Sequence, residues 1–183
     1  MNKKSCVLLV IVVVALAGMA ALSQTSGGTL TVALMAEPDG LNMILTPAAA
    51  SFQIVMYNIN EPLLRYTADR KIEPLLATSY EVTDHGKETY YTFHLRSGVV
   101  FHNGAPFTAR DVKYTFDKLL DPKTASPNAS LFSFVKEIDV IDSLTVRFVT
   151  QGAGAPLIGY LASAKGTGII PAGSDMDALR THP

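Results

Sequence analysis

One cysteine, Cys6, and no tryptophan occur in 183 residues. Cys6 lies in an N-terminal apolar run, so everything after that run is free of thiols. A disulfide framework and a thiolate metal site are thereby excluded, and stability has to come from the core alone. A surplus of positive charge is missing too. Lys and Arg number 15 against 16 Asp and Glu, with no basic stripe. Nucleic-acid binding needs such a stripe, so nucleic acid is not an expected partner. The motifs of hydrolytic chemistry, GxSxG and HExxH, are absent as well. The histidines are His85, His94, His102 and His182, and no two have i, i+4 spacing. No protein-built metal site is expected from them. Gly152-Ala153-Gly154 and Gly166-Thr167-Gly168 complete no phosphate-loop fingerprint and read as loop hinges. The expectation is a protein that is not an enzyme and carries no cofactor.

The N-terminus is informative. Lys3 and Lys4 precede Cys6 to Leu22, an unbroken run of 17 apolar or small residues. A basic start, a short apolar stretch and small residues at its end read as a secretory signal over residues 1–23, with cleavage expected after Ser23. The run is at the lower limit for spanning a bilayer, which leaves an uncleaved anchor as the alternative. Leu16-Ala17-Gly18 is followed by Met19, not by cysteine, which argues against a lipid anchor. Without Lys3 and Lys4 the mature protein holds 13 basic and 16 acidic residues, a net charge of −3. The predicted location is the periplasm or the cell exterior.

Periodicity gives the elements. Thr29 to Ala36 (TLTVALMA) predicts a strand buried on both faces, broken by Glu37-Pro38-Asp39-Gly40. Ala48 to Asn60 predicts a helix, because Phe52, Val55, Met56 and Ile59 share one face. Leu63 to Tyr66 is a short strand. Tyr80 to Leu95 predicts a hairpin turning at Asp84-His85-Gly86, with Phe93 inward and His94 outward. Thr108, with Asp111 as capping-box partner, opens a helix whose stripe is Val112, Phe116, Leu119 and Leu120. Asp121-Pro122 stops it. Val135 to Val140 and Leu144 to Thr150 form another hairpin around Asp142-Ser143. Pro156 to Ala164 reads as a short helix, Gly168 to Pro171 as a brief strand, and Asp175 to Arg180 as the start of another helical pattern.

These motifs follow one another in a recognisable order. GGTLTVALMAEPDGLN, NEPLLRY, GTGIIP and above all PLLATSYEVTDHGKETYYTFHLRSGVVFHNGAPFTARDVKYTFDKLLDP resemble the extracellular solute-binding proteins of family 5. These are the peptide-, dipeptide- and nickel-binding components of ABC importers. The resemblance covers Gly27 to Pro183. Tyr80 stands where the family usually has tryptophan, and members of the family are several times longer than this sequence. The resemblance implies a mixed α/β, periplasmic-binding-protein type II-like fold, with only the first part of domain I and most of domain II present. Residues 24–47 would be the first strand region of domain I, 48–160 the small lobe of domain II, and 161–183 a truncated return toward domain I.

The function implied is capture of short peptides in a cleft between two lobes and delivery to ABC permease subunits. Nickel chelate, haem, an opine or an oligosaccharide are alternative ligands, and a membrane-anchored interaction or sensor domain is a second class. A strand end can face a ligand crevice, which singles out Glu37, and the resemblance adds Met35 at the same strand end. Asn42, Phe52, Tyr57 and Phe101 complete the cleft-facing candidates, aromatic rings suiting mixed small ligands.

Overall fold

In a computed structural model the described residues are 28–56, 58–152, 156–163 and 165–182. The protein divides into two units, Met1–Ala33 and Leu34–Pro183. The predicted leader and Tyr57 lie outside the described residues. No helix among the described residues is long and apolar enough to cross a membrane.

The second unit is organised by alternation. Two short strands, β1 (Leu64–Tyr66) and β2 (Ile72–Pro74), form a ribbon of their own. The sequence pattern marks β1 but not β2, which holds only three residues and carries no period. Strand β3 (Ala77–Asp84) turns at Gly86, with φ +80°, into β4 (Glu88–Leu95). The Asp84 carboxylate accepts from the Gly86 N–H at 2.7 Å and tightens this turn. Along β4 the burial alternates strictly: Tyr91, Phe93 and Leu95 point inward, while Tyr90, Thr92 and His94 face out. Strands β5 (Val135–Asp142) and β6 (Thr145–Gln151) form the second hairpin, its turn fixed by Leu144 N–H donating to Asp142 Oδ1 at 2.7 Å. Strands β3 to β6 make one antiparallel sheet in the order β3-β4-β6-β5.

The predicted helix over 48–60 is shorter in the structure. Helix α1 covers Ala49–Val55, and Met56 already has ψ 131°. Asn58 explains the stop: its amide donates to the Ile54 carbonyl at 3.0 Å, taking a group that a further turn would need. Met43, Val55 and Met56, with Phe52 and Ile59, form a small cluster of their own.

Helix α2 (Ala109–Leu120) lies against β5 and β6. Val112, Phe116 and Leu119 are fully buried in the main core, as the i, i+4, i+7 spacing predicts. The rings of Phe116, Phe132 and Phe148 meet edge to face at 5.3 and 5.0 Å, and Phe148 meets Phe93 at 5.7 Å. Helix α3 (Leu157–Ala162) adds Leu157 and Leu161 to the same core.

Two predicted strands do not form. The segment from Thr29 to Ala36 has no strand structure and is exposed throughout, with Leu30 at 87% and Val32 at 67%. A strand needs a paired neighbour, and no described strand pairs with this segment. Gly168 to Pro171 is buried at Ile169 and Ile170 but joins no ladder, because its backbone is bonded to Glu61 in a loop and to the Thr115 hydroxyl of α2. The Asp175–Arg180 pattern gives only a 3-10 turn, Ala178–Arg180.

An exposed apolar segment of strand-like sequence invites pairing with another copy. Sedimentation velocity over rising concentration is expected to show self-association. Lysine at Leu30 and Val32 is expected to suppress it. Clean monomer at high concentration for the unaltered protein would count against the idea.

Candidate functional site

A cleft of about 500 Å³ opens on the second unit. Three segments and Leu76 build it: residues 58–61 after α1, the loop from Val99 to Phe107, and residues 169–174 with Leu179 and His182. Its walls mix apolar rings and aliphatic groups with amides, imidazoles and one carboxylate, Glu61. Such a mixture suits orientation of a small polar ligand over an apolar floor.

The Val99–Phe107 loop is a miniature hairpin. Phe107 N–H donates to Val99 O at 3.0 Å, and Phe101 N–H to Ala105 O at 2.9 Å. Gly104 closes the tip with φ +82°, a conformation that costs a residue with a Cβ but not glycine. Phe101 and Phe107 pack edge to face at 6.1 Å, so the loop carries its own apolar anchor.

The opposite wall hangs on α2. Asp111, Tyr114 and Thr115 occupy i, i+3 and i+4, a polar stripe beside the apolar one. Asp111 Oδ1 accepts from Ala172 N–H at 2.8 Å. Thr115 Oγ1 accepts from Ile170 N–H at 3.1 Å, and Tyr114 donates its hydroxyl to Ser174 O at 2.7 Å. Residues 58–61 are joined to the same wall: Asn60 Nδ2 donates to Ile169 O at 3.1 Å, and Ile169 N–H to Glu61 O at 3.0 Å. Thus one helix supplies core with one face and scaffolds the cleft with the other.

The candidates read from sequence are dispersed. Phe101 lines the cleft. Asn42 is buried, its amide donating to Met176 O at 2.7 Å and its Oδ1 accepting from Ile44 N–H at 3.0 Å. Phe52 is half-buried against the small methionine cluster. Met35 and Glu37 are exposed, away from the cleft lining. Asn60, Ser174 and His182, which line the cleft, carry no sequence signal; Asn60 and Ser174 are brought to it by long-range hydrogen bonds.

A second polar knot orders the approach to α1. Asp39 accepts hydrogen bonds from the Thr46 hydroxyl and, at 3.0 Å, from the Ser51 hydroxyl. The Thr46 bond, chiefly, holds the Asp39 carboxyl below its ordinary value; burial opposes this and the Ser51 bond adds to it. A depressed folded value means that the contribution is present above the unfolded carboxylate value and lost as pH falls through the folded one. Amide exchange over residues 39–51 is therefore expected to quicken in acid, relative to its intrinsic rate, and Asp39→Asn to abolish that dependence. An NMR titration placing the Asp39 midpoint at or above the ordinary carboxylate value would refute this.

Among the described residues no group of three or more His, Cys, Asp or Glu is placed to hold a metal.

Comparison with known proteins agrees with this architecture. Residues 71–182 match the family described as bacterial extracellular solute-binding proteins, family 5 Middle. Di/tripeptide-binding protein 2 of Pseudomonas aeruginosa is 28% identical over 100% of this protein and 38% of its own length. The periplasmic oligopeptide-binding protein OppA of Haemophilus influenzae is 37% identical over 58% of this protein and 20% of its own length. The structure of the binding protein AgaA of A. tumefaciens R10, in complex with agropinic acid, superposes with a TM-score of 0.67 at 34% identity, over 74% of this protein and 27% of that one. The sequence thus spans well under half the length of the relatives it matches. These relatives are binding proteins, not enzymes, and the mixed α/β fold is that of periplasmic binding proteins. The matched segment takes in more than half of the residues and includes both hairpins, α2 and the cleft wall hung on it: this protein belongs to the bacterial extracellular solute-binding proteins of family 5.

Proposed function

We propose that this polypeptide belongs to the substrate-binding component of an ABC importer that captures short peptides and presents them to a membrane permease. The observation that carries the reading is the family match over residues 71–182, accompanied by relatives whose names specify di/tripeptides and oligopeptides. The mixed cleft is consistent with it, since amides and imidazoles around apolar rings can bind the backbone polar groups of many different peptides. Export by the leader, residues 1–23, places the protein in the periplasm or outside the cell. Residues 48–160 form the small lobe in this reading, and 24–47 with 161–183 belong to the other lobe. Leu41 N–H donates to Arg180 O at 2.9 Å and Asn42 reaches Met176, which supports pairing the two flanks. Closure of two lobes on the ligand by hinge motion then provides the form that the permease recognises. Phe101, which lines the cleft, is the ligand contact this reading favours.

Native mass spectrometry of the protein isolated from its own host tests the reading. Bound short peptides are the expected adducts. A nickel chelate, haem or an opine in their place would transfer the assignment to another ligand of the same family; agropinic acid in AgaA makes the opine the specific alternative. A mature N-terminus at Met1 would support an anchored interaction domain and count against a released binder.

A further inference from the structure

We propose that Asn103–Gly104, at the tip of the loop that forms one cleft wall, is a deamidation site, and that its conversion lays a fixed negative charge on the cleft. Six asparagines occur in the sequence, at 2, 42, 58, 60, 103 and 128, and only Asn103 is followed by glycine. Glycine leaves the attacking backbone nitrogen unshielded, because no Cβ stands beside it. Among the described asparagines, Asn42 and Asn128 are buried, and the amides of Asn58 and Asn60 donate to backbone carbonyls. Asn103, by contrast, is exposed at the loop tip.

The local geometry favours the reaction in one respect and gates it in another. Ala105 N–H donates to Asn103 Oδ1 at 2.9 Å. That bond folds the Asn103 amide back over the next peptide unit and polarises its carbonyl carbon toward nucleophilic attack. Gly104 N–H is itself bonded to Phe101 O at 2.8 Å and has to be released first. A single exposed turn bond opens readily and locally, without unfolding the sheet.

The step balances without an oxidant or reductant. Hydroxide removes the Gly104 amide proton, and the nitrogen attacks Asn103 Cγ. A C–N bond forms, the amide C–N bond of Asn103 breaks, and ammonia leaves with a proton from water. Water then opens the five-membered imide at either carbonyl, giving aspartate or an isoaspartyl link. Both products replace a neutral amide by a carboxylate next to His102 on the cleft lining. The isoaspartyl form also lengthens the backbone by one carbon within the Val99–Phe107 hairpin.

The test is to age the purified protein in mildly alkaline buffer and follow it by peptide mapping. The tryptic peptide Ser97–Arg110 is expected to gain the mass difference between an amide and an acid, to split into two chromatographic species, and to take up labelled oxygen from heavy-oxygen water. It should convert several-fold faster than any peptide carrying another asparagine. Gly104→Ala should slow conversion strongly and Asn103→Gln should abolish it. Conversion confined to urea-unfolded protein, a faster reaction at another asparagine, or a Gly104→Ala rate equal to the unaltered one would each overturn the proposal.

Discussion

Phe116→Ala is expected to remove about 3–5 kcal/mol of stability. Phe116 is fully buried at the meeting of α2 with β5 and β6, and its ring faces Phe132 and Phe148 edge-on at 5.3 and 5.0 Å. Truncation removes the transfer free energy of the ring and leaves a cavity that rigid strands cannot close. Each lost edge-to-face pair adds about 0.5–1.5 kcal/mol beyond area. Small domains hold only about 5–15 kcal/mol in total, so the variant should lose much of its margin at physiological temperature. Urea denaturation of Phe116→Ala beside Phe116→Leu is the measurement. A loss below about 1.5 kcal/mol for alanine would mean that the core collapses around the gap, and that the aromatic cluster is not what organises this unit.

Asp111→Ala should cost about 2–4 kcal/mol and, unlike the core variant, should disturb the cleft first. One carboxylate serves two elements. Its Oδ2 accepts from Thr108 N–H at 2.7 Å and from the Thr108 hydroxyl at 2.9 Å, capping α2. Its Oδ1 accepts from Ala172 N–H at 2.8 Å and so fixes the cleft wall. Alanine leaves both part-buried backbone donors without this acceptor, and a hydrogen bond to a charged group contributes about 1.5–3 kcal/mol. Asp111→Asn keeps one acceptor and should recover part of the loss. Hydrogen exchange separates the two roles: amides over 169–174 should lose protection before those of β4 and β6 do. Simultaneous loss across the whole unit would show that Asp111 is only a helix cap.

Legibility follows the range of the interactions. The two hairpins, their turns at Gly86 and Asp142-Ser143, and the inward face of β4 depend on period-two patterning and local turn chemistry, and so can be read directly. Helix α2 is readable for the same reason, with its cap, stripe and stop all lying between Thr108 and Pro122. Helix α1 reads too long because apolar periodicity continues to Ile59, whereas Asn58 claims the Ile54 carbonyl. The segment at Thr29–Ala36 has every local feature of a strand but no described partner, and pairing is not a local property.

Sequence alone was enough for the family, for the absence of thiol chemistry in everything after Cys6, and for the local elements that repeat every two or 3.6 residues. The tertiary structure alone decided the cleft. Asn60, Phe101 and Ser174 lie far apart in sequence, and the bonds that seat the walls run from Asn60 to Ile169 and from Tyr114 to Ser174. No periodicity records such pairings, because each joins one polar group to a distant backbone carbonyl, and their meeting depends on how the whole protein has packed.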